Sequence, residues 1–411
     1  MIGKLSRLFF KEDTTSPDSP NNAATRSVGG LGFLGFPTSA TRNVSPRTAL
    51  SFSPVYSAVN LISNDLATLP ISVYQETDDG NIKQTKHIQS RLLKKKPHEL
   101  YNAIVYKRTM FANFLLWGNA YAQIHRNIQG VPVSYEIIEP YKVEPFILNY
   151  DGRTILAYKK YGDGDIIASS DMIHIADLSF NAIKGLSKIT IARQSINLGL
   201  SAIDLCENYN ENGAFPSVAL TVKKRIDDNG VNALKSSFMQ QHSGRSNAGN
   251  VVVLQEDTEM KNINWAMPFS DAEWLGSRKF QIEEIARFFN VPPHKIGHLE
   301  KSSFNNIEQQ NTEYVVNTLT PIAKLFEIEH DTKIFSDNEA DHFIKIELKG
   351  LLRGDVKART AYYKDMIDRG VLSPNEVRGL EDMTPYVGGD IKILPLNYTT
   401  IEKFTQEKMT E

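Results

Sequence analysis

Two helical windows separated by a stretch of different texture constrain this chain more than any other feature. Residues 188–212 carry Ile189, Ala192, Ile196, Ile203 and Cys206 on one stripe and stop at Gly213. A second helical window, 272–290, ends at Pro292-Pro293. Between them, residues 216–266 read as a strand at 218–222, a helix near 230–242, a polar loop through Asn250, and strands at 251–254 and around Ile263. A chain that leaves the end of one rod and returns at the start of the next makes the two rods neighbours, with the small lobe at one end. At roughly 1.5 Å per residue the first rod is about 35–40 Å long. The 411 residues of the chain leave room for two to four domains at about 100–200 residues each.

Composition narrows the class. Hydrophobic residues make up 41% and charged residues 23% of the chain, enough to bury real cores. One cysteine, Cys206, excludes an internal disulfide framework and any zinc site built from several thiolates. No apolar run reaches the roughly 20 residues of a bilayer span, and the apolar part of residues 1–10 is short for a signal peptide. These features lead us to expect an intracellular, reducing setting without a membrane partner. Lys plus Arg number 46 against 48 for Asp plus Glu, a net charge of −2, so the chain as a whole does not advertise tight phosphate clamping.

Around the rods, periodicity predicts the rest. Residues 11–49 are rich in Ser, Thr, Pro, Gly and Asn and read as a mobile arm; the formal GxGxxG at Gly30, Gly32 and Gly35 has no preceding strand. A helix is predicted from an Ser53 N-cap, with Val55, Ala58, Val59, Ile62, Leu66 and Leu69 at helical spacing until Pro70. A short extended piece turns at Asp79-Gly80, a second amphipathic helix over 101–117 stops at Gly118, and residues 119–180 form a β-rich block. After a polar loop at 294–305, an Asn305/Glu308 capping box opens a long helix to about 332, with Pro321 expected to kink it. A strand over 343–348, a helix capped by Asp355 and stopped by Gly370, and a capping box at Ser373-Pro374-Asn375-Glu376 complete the pattern.

Chemical signatures are sparse. There is no GxxxxGK[ST] phosphate loop. His294 and His298 are spaced i, i+4 but follow two prolines and straddle Gly297, which suits a polar loop better than a metal face. Glu327, Glu329, His330 and Asp331 crowd one helix end and read more simply as a solvated face than as a cation site. His174 beside Asp177 reads as a hydrogen-bonded histidine at a strand end, because no nucleophile is placed next to it. Cys206 reads as a small buried hydrophobe. No cofactor is implied.

One ordered series of local patterns resembles a known family. It runs from Ser53-Pro54-Val55-Tyr56-Ser57-Ala58-Val59-Asn60 through Trp117-Gly118-Asn119-Ala120-Tyr121, Glu139-Pro140, Ile173-His174-Ile175 and Gly185-Leu186-Ser187. It continues with Glu284-Ile285-Ala286-Arg287-Phe288-Phe289, Val291-Pro292-Pro293, Asn305-Asn306-Ile307-Glu308-Gln309 and Leu351-Leu352-Arg353-Gly354-Asp355, and closes at Ser373-Pro374-Asn375-Glu376-Val377-Arg378 and Gly388-Gly389-Asp390. In this order the series, covering about 50–395, resembles the siphovirus-type portal proteins of tailed double-stranded-DNA bacteriophages.

The resemblance implies an α+β portal fold: a β-rich wing, a two-helix stem, a small α/β clip inserted between the stem helices, a long kinked helix and a short helical crown. On this chain it divides into an N-terminal arm (1–49), wing (50–186), first stem helix (187–213), clip (214–268), second stem helix (269–293), tunnel loop (294–305), long helix with a wing strand (306–350), crown (351–390) and polar tail (391–411). The short crown and tail depart from relatives that carry a long C-terminal barrel. The implied role is non-enzymatic: a homo-oligomeric ring, typically a dodecamer, at one capsid vertex of the virion, assembled in the host bacterial cytoplasm and passing DNA during packaging and ejection. The implied partners are double-stranded DNA, the large-subunit ATPase of the terminase, a major capsid or scaffolding protein, and a neck or adaptor protein. DNA would face His294, Lys295, His298, Lys301, Ser302, Ser303 and Asn305, while Trp274, Ile282, Ile285 and Phe289 would pack the stem and the oligomer. A near-neutral chain suits sliding, because a groove neutralising several phosphates would brake the duplex. Two readings from other classes stand beside this one. One is a metal-dependent phage DNA-processing enzyme using Glu327, Glu329 and Asp331 with magnesium; the other is a monomeric head-tail adaptor.

Overall fold

The computed structural model describes residues 44–78, 80–150, 153–162, 164–211, 218–222, 227–242, 258–262, 271–297, 304–348, 351, 356–381 and 383–393. In chain order the first elements are α1 (Pro46–Ala49), α2 (Ser53–Thr68), β1 (Ile71–Thr77), β2 (Gly80–Lys83), α3 (Ile88–Lys94) and α4 (Ala103–Trp117). Six strands follow: β3 (Asn119–Arg126), β4 (Pro132–Ile138), β5 (Val143–Tyr150), β6 (Arg153–Lys160), β7 (Ile166–Ala168) and β8 (Met172–Ala176). Then come α5 (Lys188–Ile191), α6 (Arg193–Glu211), β9 (Val218–Val222), α7 (Asp228–His242), β10 (Thr258–Asn262) and α8 (Asp271–Phe289). The chain continues with α9 (Phe304–Tyr314), α10 (Thr320–Ile334), β11 (His342–Ile346), α11 (Val356–Asp368) and α12 (Pro374–Leu380). It divides into two compact units, residues 1–346 and 347–411.

The first unit is organised around α2, α4 and α10. In α2 the predicted stripe is the buried face, with Val55, Ala58, Val59, Ile62 and Leu66 out of water. Its N-cap is Phe52 rather than Ser53, and no side chain caps it. Phe52 is itself buried and packs on Gly199 of α6, where a Cβ would lie 2.4 Å from its ring. Helix α4 lacks the one-sided pattern expected of it. It packs against both α2 and β3 and buries Tyr106, Met110, Phe111, Phe114, Leu115 and Leu116. Even Lys107 is buried; its ammonium donates to the Leu69 carbonyl that closes α2 (2.7 Å), and burial lowers its pKa to about 8. Phe326 and His330 of α10 stack at 3.9 Å and meet Phe111 and Tyr106 of α4.

Among the described residues the strands form four small antiparallel sheets, in the orders β11-β1-β2, β4-β3-β8, β5-β6-β7 and β10-β9. Strand β11 joins β1 across most of the chain, with Ile71 opposite Ile346 and Tyr74 opposite Phe343. Its other edge is closed by a helix. Asp331 accepts from the Ile344 amide (2.7 Å) and Glu327 from the Ile346 amide (2.6 Å). Residues two apart on a strand and four apart on a helix are both spaced about 6–7 Å, so the two carboxylates match two successive outward amides. From another side of α10, Glu329 accepts from the His174 amide of β8 (2.8 Å), and Lys333 donates to Met172 O (2.6 Å). This corrects the expected solvated face. The acidic cluster clamps two sheet edges, and Glu327 and His330 are buried.

The two rods differ in detail from the sequence reading. The first is interrupted at Ala192, giving the short α5 and then α6; α6 packs against α8. Between them in sequence, β9 and β10 pair antiparallel, with Val218 opposite Asn262. The second strand of the lobe is 258–262; the expected strands at 251–254 and Ile263 lie outside the described residues, as do residues 1–43 of the expected arm (1–49) and the Cys206 side chain. The end of that arm is not loose, because Ser45 and Thr48 cap α1 and Val44 and Ala49 are buried. The long helix begins at Phe304, so Asn305 stands in its first turn and does not cap it. Pro321 does not break it. A π-helical turn at Val315–Leu319 bridges α9 and α10.

The second unit, described by itself, is a helix pair. Gly370 (φ 66°) ends α11, and the predicted capping box opens α12: Ser373 Oγ accepts from Glu376 N (3.2 Å), and Glu376 accepts from Ser373 N (2.7 Å).

Candidate functional site

Chemistry-bearing residues converge at two places. The first is a buried polar node built from three of the sequence motifs. Gly118 closes α4 in the left-handed region (φ 69°), which glycine tolerates best. A Cβ there would lie 2.1 Å from the Leu186 carbonyl, so the loop before α5 can run directly against it. Asn119 then ties the node together. Its amide donates to Gly185 O (2.8 Å), and its oxygen accepts from Gly185 N (2.8 Å) and from His174 Nε2 (3.0 Å). The Tyr158 hydroxyl donates to His174 Nδ1 (3.2 Å), and Tyr121 stacks on the ring at 4.4 Å. Burial, aided by the Lys333 charge, lowers the His174 pKa to about 3 and keeps the ring neutral. Asp177 pairs with Lys188, not with His174. With every ring nitrogen engaged and no nucleophile in contact, this node positions backbone.

The second place is the C-terminal end of α8, where the predicted tunnel loop begins. Ile285 and Phe289 of α8 are buried within the single chain, Ile282 is half-buried, and the Trp274 side chain lies outside the described residues. Asn290 follows in the left-handed region (φ 53°). Its carbonyl accepts from Thr318 Oγ1 (2.5 Å), and its side-chain amide donates to Asn317 O (3.2 Å). Asn317 O is the carbonyl that Pro321, lacking an N–H, cannot satisfy. The proline, the π turn and Asn290 therefore form one joint.

What was expected to be loop begins as a 3₁₀ turn, Pro293–Ile296, closed by Gly297 (φ 93°). His294 is half-buried there and reaches α9 through Gln310 (2.8 Å) and Asn311 (3.3 Å). Lys295, also half-buried, lies with its ammonium 5.0 Å from the Tyr314 ring centre. The Tyr314 hydroxyl donates to Asp65 of α2 (3.0 Å). Burial raises the Asp65 pKa, against the lowering by this bond and by Lys295. Arg287, Asn290, Pro293, Gln310, Glu313 and Asn317 help line a surface cleft of about 330 Å³ beside the turn. Its walls carry both signs of charge, so it offers hydrogen bonds without a strong net field. His298, Lys301, Ser302 and Ser303 lie outside the described residues, as does the Asn305 side chain.

Glu327, Glu329 and Asp331, weighed as magnesium ligands, are directed to three separate backbone amides. Among the described residues no three His, Cys, Asp or Glu side chains are grouped to hold a metal ion.

The family model for phage portal protein matches residues 53–382. The chain belongs to the phage portal protein family. It is 27% identical to the portal protein of Enterobacteria phage HK97 over 390 residues, covering 93% of this chain and 90% of that one. It is also 27% identical to the probable portal protein of Streptomyces phage phiC31, covering 87% of this chain and 80% of that one. The fold resembles that of an HK97-family portal protein from Corynebacterium diphtheriae, with a TM-score of 0.58 at 13% identity over 76% of this chain and 99% of that one. It also resembles a chain in the neck of a gene transfer agent particle computed with twelvefold symmetry, with a TM-score of 0.52 at 20% identity over 87% of this chain and 99% of that one. The mixed helix and sheet architecture is that of the family.

Sequence reasoning missed the two polar joints. Asn119, Gly185 and His174 were recognised as motif letters, but their mutual contact had no signal in spacing. Asn290 stands two residues before a double proline, and nothing in that stretch signals a left-handed backbone.

Proposed function

We propose that the chain acts as one subunit of a closed ring at a capsid vertex, through which double-stranded DNA moves during packaging and ejection. The observation that carries this reading is the stem-base joint. Two packed stem helices feed a turn whose polar groups are mostly satisfied inside the chain, leaving a near-neutral rim for the segment that follows. A duplex carries about one negative charge per 1.7 Å, so a rim rich in free cations would hold it in place. A rim of neutral amides with a partly engaged Lys295 lets it pass, and repetition around a ring multiplies weak contacts. Residues His294, Lys295, His298, Lys301, Ser302, Ser303 and Asn305 face the bore in this reading. Trp274 and Ile282 serve contacts between copies, while Ile285 and Phe289 hold α8 within its own subunit. The clip receives the terminase ATPase before packaging ends and a neck protein afterwards; the wing meets the capsid or scaffolding protein during assembly in the host cytoplasm. The role is structural and needs no catalytic group.

Negative-stain micrographs of the purified protein should reveal rings with a central hole; solid particles alone would refute the reading. Lys295→Glu combined with Lys301→Glu should impair DNA packaging or retention while rings still form, and unchanged packaging would remove the loop from the bore.

A further inference from the structure

Away from both joints, one surface carries charge that the proposed conduit does not use. Lys83 ends β2, Lys86 lies in the link that follows, and Arg91, Lys94, Lys95 and Lys96 occupy α3 and its C-terminus; all six are exposed. None of them has an ion-pair partner among the described residues, in a chain whose net charge is −2. β2 and α3 both lie against β1, with Tyr74 opposite Lys83, and in keeping with that proximity partial burial and the Lys83 charge lower the Lys94 pKa. Cations at the end of a helix complement its dipole. That accounts for Arg91, Lys94 and Lys95, but not for Lys83 or Lys86, which lie before the helix. Bringing six like charges together opposes folding, and a polyanionic partner would relieve that repulsion.

We propose that the β2–α3 surface, formed by Lys83, Lys86, Arg91, Lys94, Lys95 and Lys96, is a sequence-independent binding surface for duplex DNA outside the bore. Five of the six are lysines, compact point charges that can donate to a phosphate from many directions, which suits sequence-independent contact with the evenly spaced charges of a duplex. The elements that carry the surface are separate from the stem helices, so it stands whether or not the ring reading does.

The test uses the full-length protein and covalently closed circular DNA, which cannot thread a closed ring. Binding is followed against salt concentration. Six phosphate contacts should give a slope of log K on log salt of about −5. K83Q/K86Q/K95Q/K96Q should flatten that slope by about three to four, with rings and melting unchanged. K83E/K86E should also weaken binding to circles, and it leaves α3 untouched if the larger set perturbs the helix. An unaltered slope in both variants would overturn the proposal. So would tighter binding of polyglutamate than of the duplex at equal charge, which would identify an acidic protein surface as the partner instead. Circle binding without rings in micrographs would count against the conduit and leave this surface standing.

Discussion

The two units of the chain are stabilised by different means. In the first, α4 and α10 bury aromatic rings against one another, with Phe111, Phe326 and Tyr106 out of water and the polar groups among them paired. In the second, no apolar side chain is buried among the described residues; the buried groups there include Ser373 and Asn375. Asn375 donates to Tyr386 O (2.9 Å) and to Asp390 (3.0 Å), accepts from Tyr386 N (3.0 Å), and sends its own amide to Gly389 O (2.8 Å). Meanwhile Val387, Ile391 and Ile393 stay exposed. Hydrogen bonds specify a shape but add little net stability, whereas apolar burial is the dominant favourable term. The first unit can therefore hold itself together, and the second is a defined shape that gains stability when its apolar side chains are covered.

This contrast can be broken in graded ways. Phe326→Ala removes a ring from the centre of the first unit and should cost about 3–5 kcal/mol in denaturant unfolding. A loss below about 1 kcal/mol would mean that α10 is not the keystone. Glu327→Ala leaves the buried Ile346 amide without an acceptor and should cost about 1–3 kcal/mol, with faster hydrogen exchange in β11; unchanged exchange there would dismiss the clamp. Asn375→Ala should cost the second unit about 1–2 kcal/mol, visible as lost amide protection over 373–390 with the main melting transition unmoved. A shift of the main transition would show that the two units unfold together.

The smallest effect concerns pH and sharpens the picture of α10. His174 and His330 have folded pKa values lowered to about 3, chiefly by burial. The unfolded chain therefore takes up protons first on acidification, and their contribution to stability is lost as pH falls below about 6.5. Asp331 works the other way. Burial, joined by the Glu327 charge, raises it to about 7 against the Ile344 hydrogen bond, so its contribution is present below about 4 and is lost as pH rises through 7. Asp331→Asn should therefore steepen the loss of stability between pH 6.5 and 5. An unchanged slope in chemical unfolding would show that Asp331 does not titrate in this range.

Much of this was legible beforehand because it is local. Capping at Ser373, the stop at Gly118 and the stripe of α2 follow from residue chemistry within one or two turns of helix. The two rods and the lobe between them were legible from period and punctuation, and so was family membership from the order of short motifs. Even the one-residue shift at Ser53 and the early start at Phe304 are errors of boundary, not of kind. The cluster at 327–331 failed for a different reason. Acidic residues at a helix end look solvated unless the strands they serve are known, and those strands lie far away in sequence.

Family, element types and the two helices that flank the small lobe were thus determined by the sequence alone, since each depends on neighbours along the chain. Only the tertiary structure decided that Glu327 and Asp331 would close β11, that Asn119 would join Gly185 to His174, and that the Asn290 amide would donate to the Asn317 carbonyl that Pro321 leaves free. The first two pair a buried or partly buried polar group with a partner supplied by a distant segment, and the need for that partner arises only when packing removes the water that would otherwise serve.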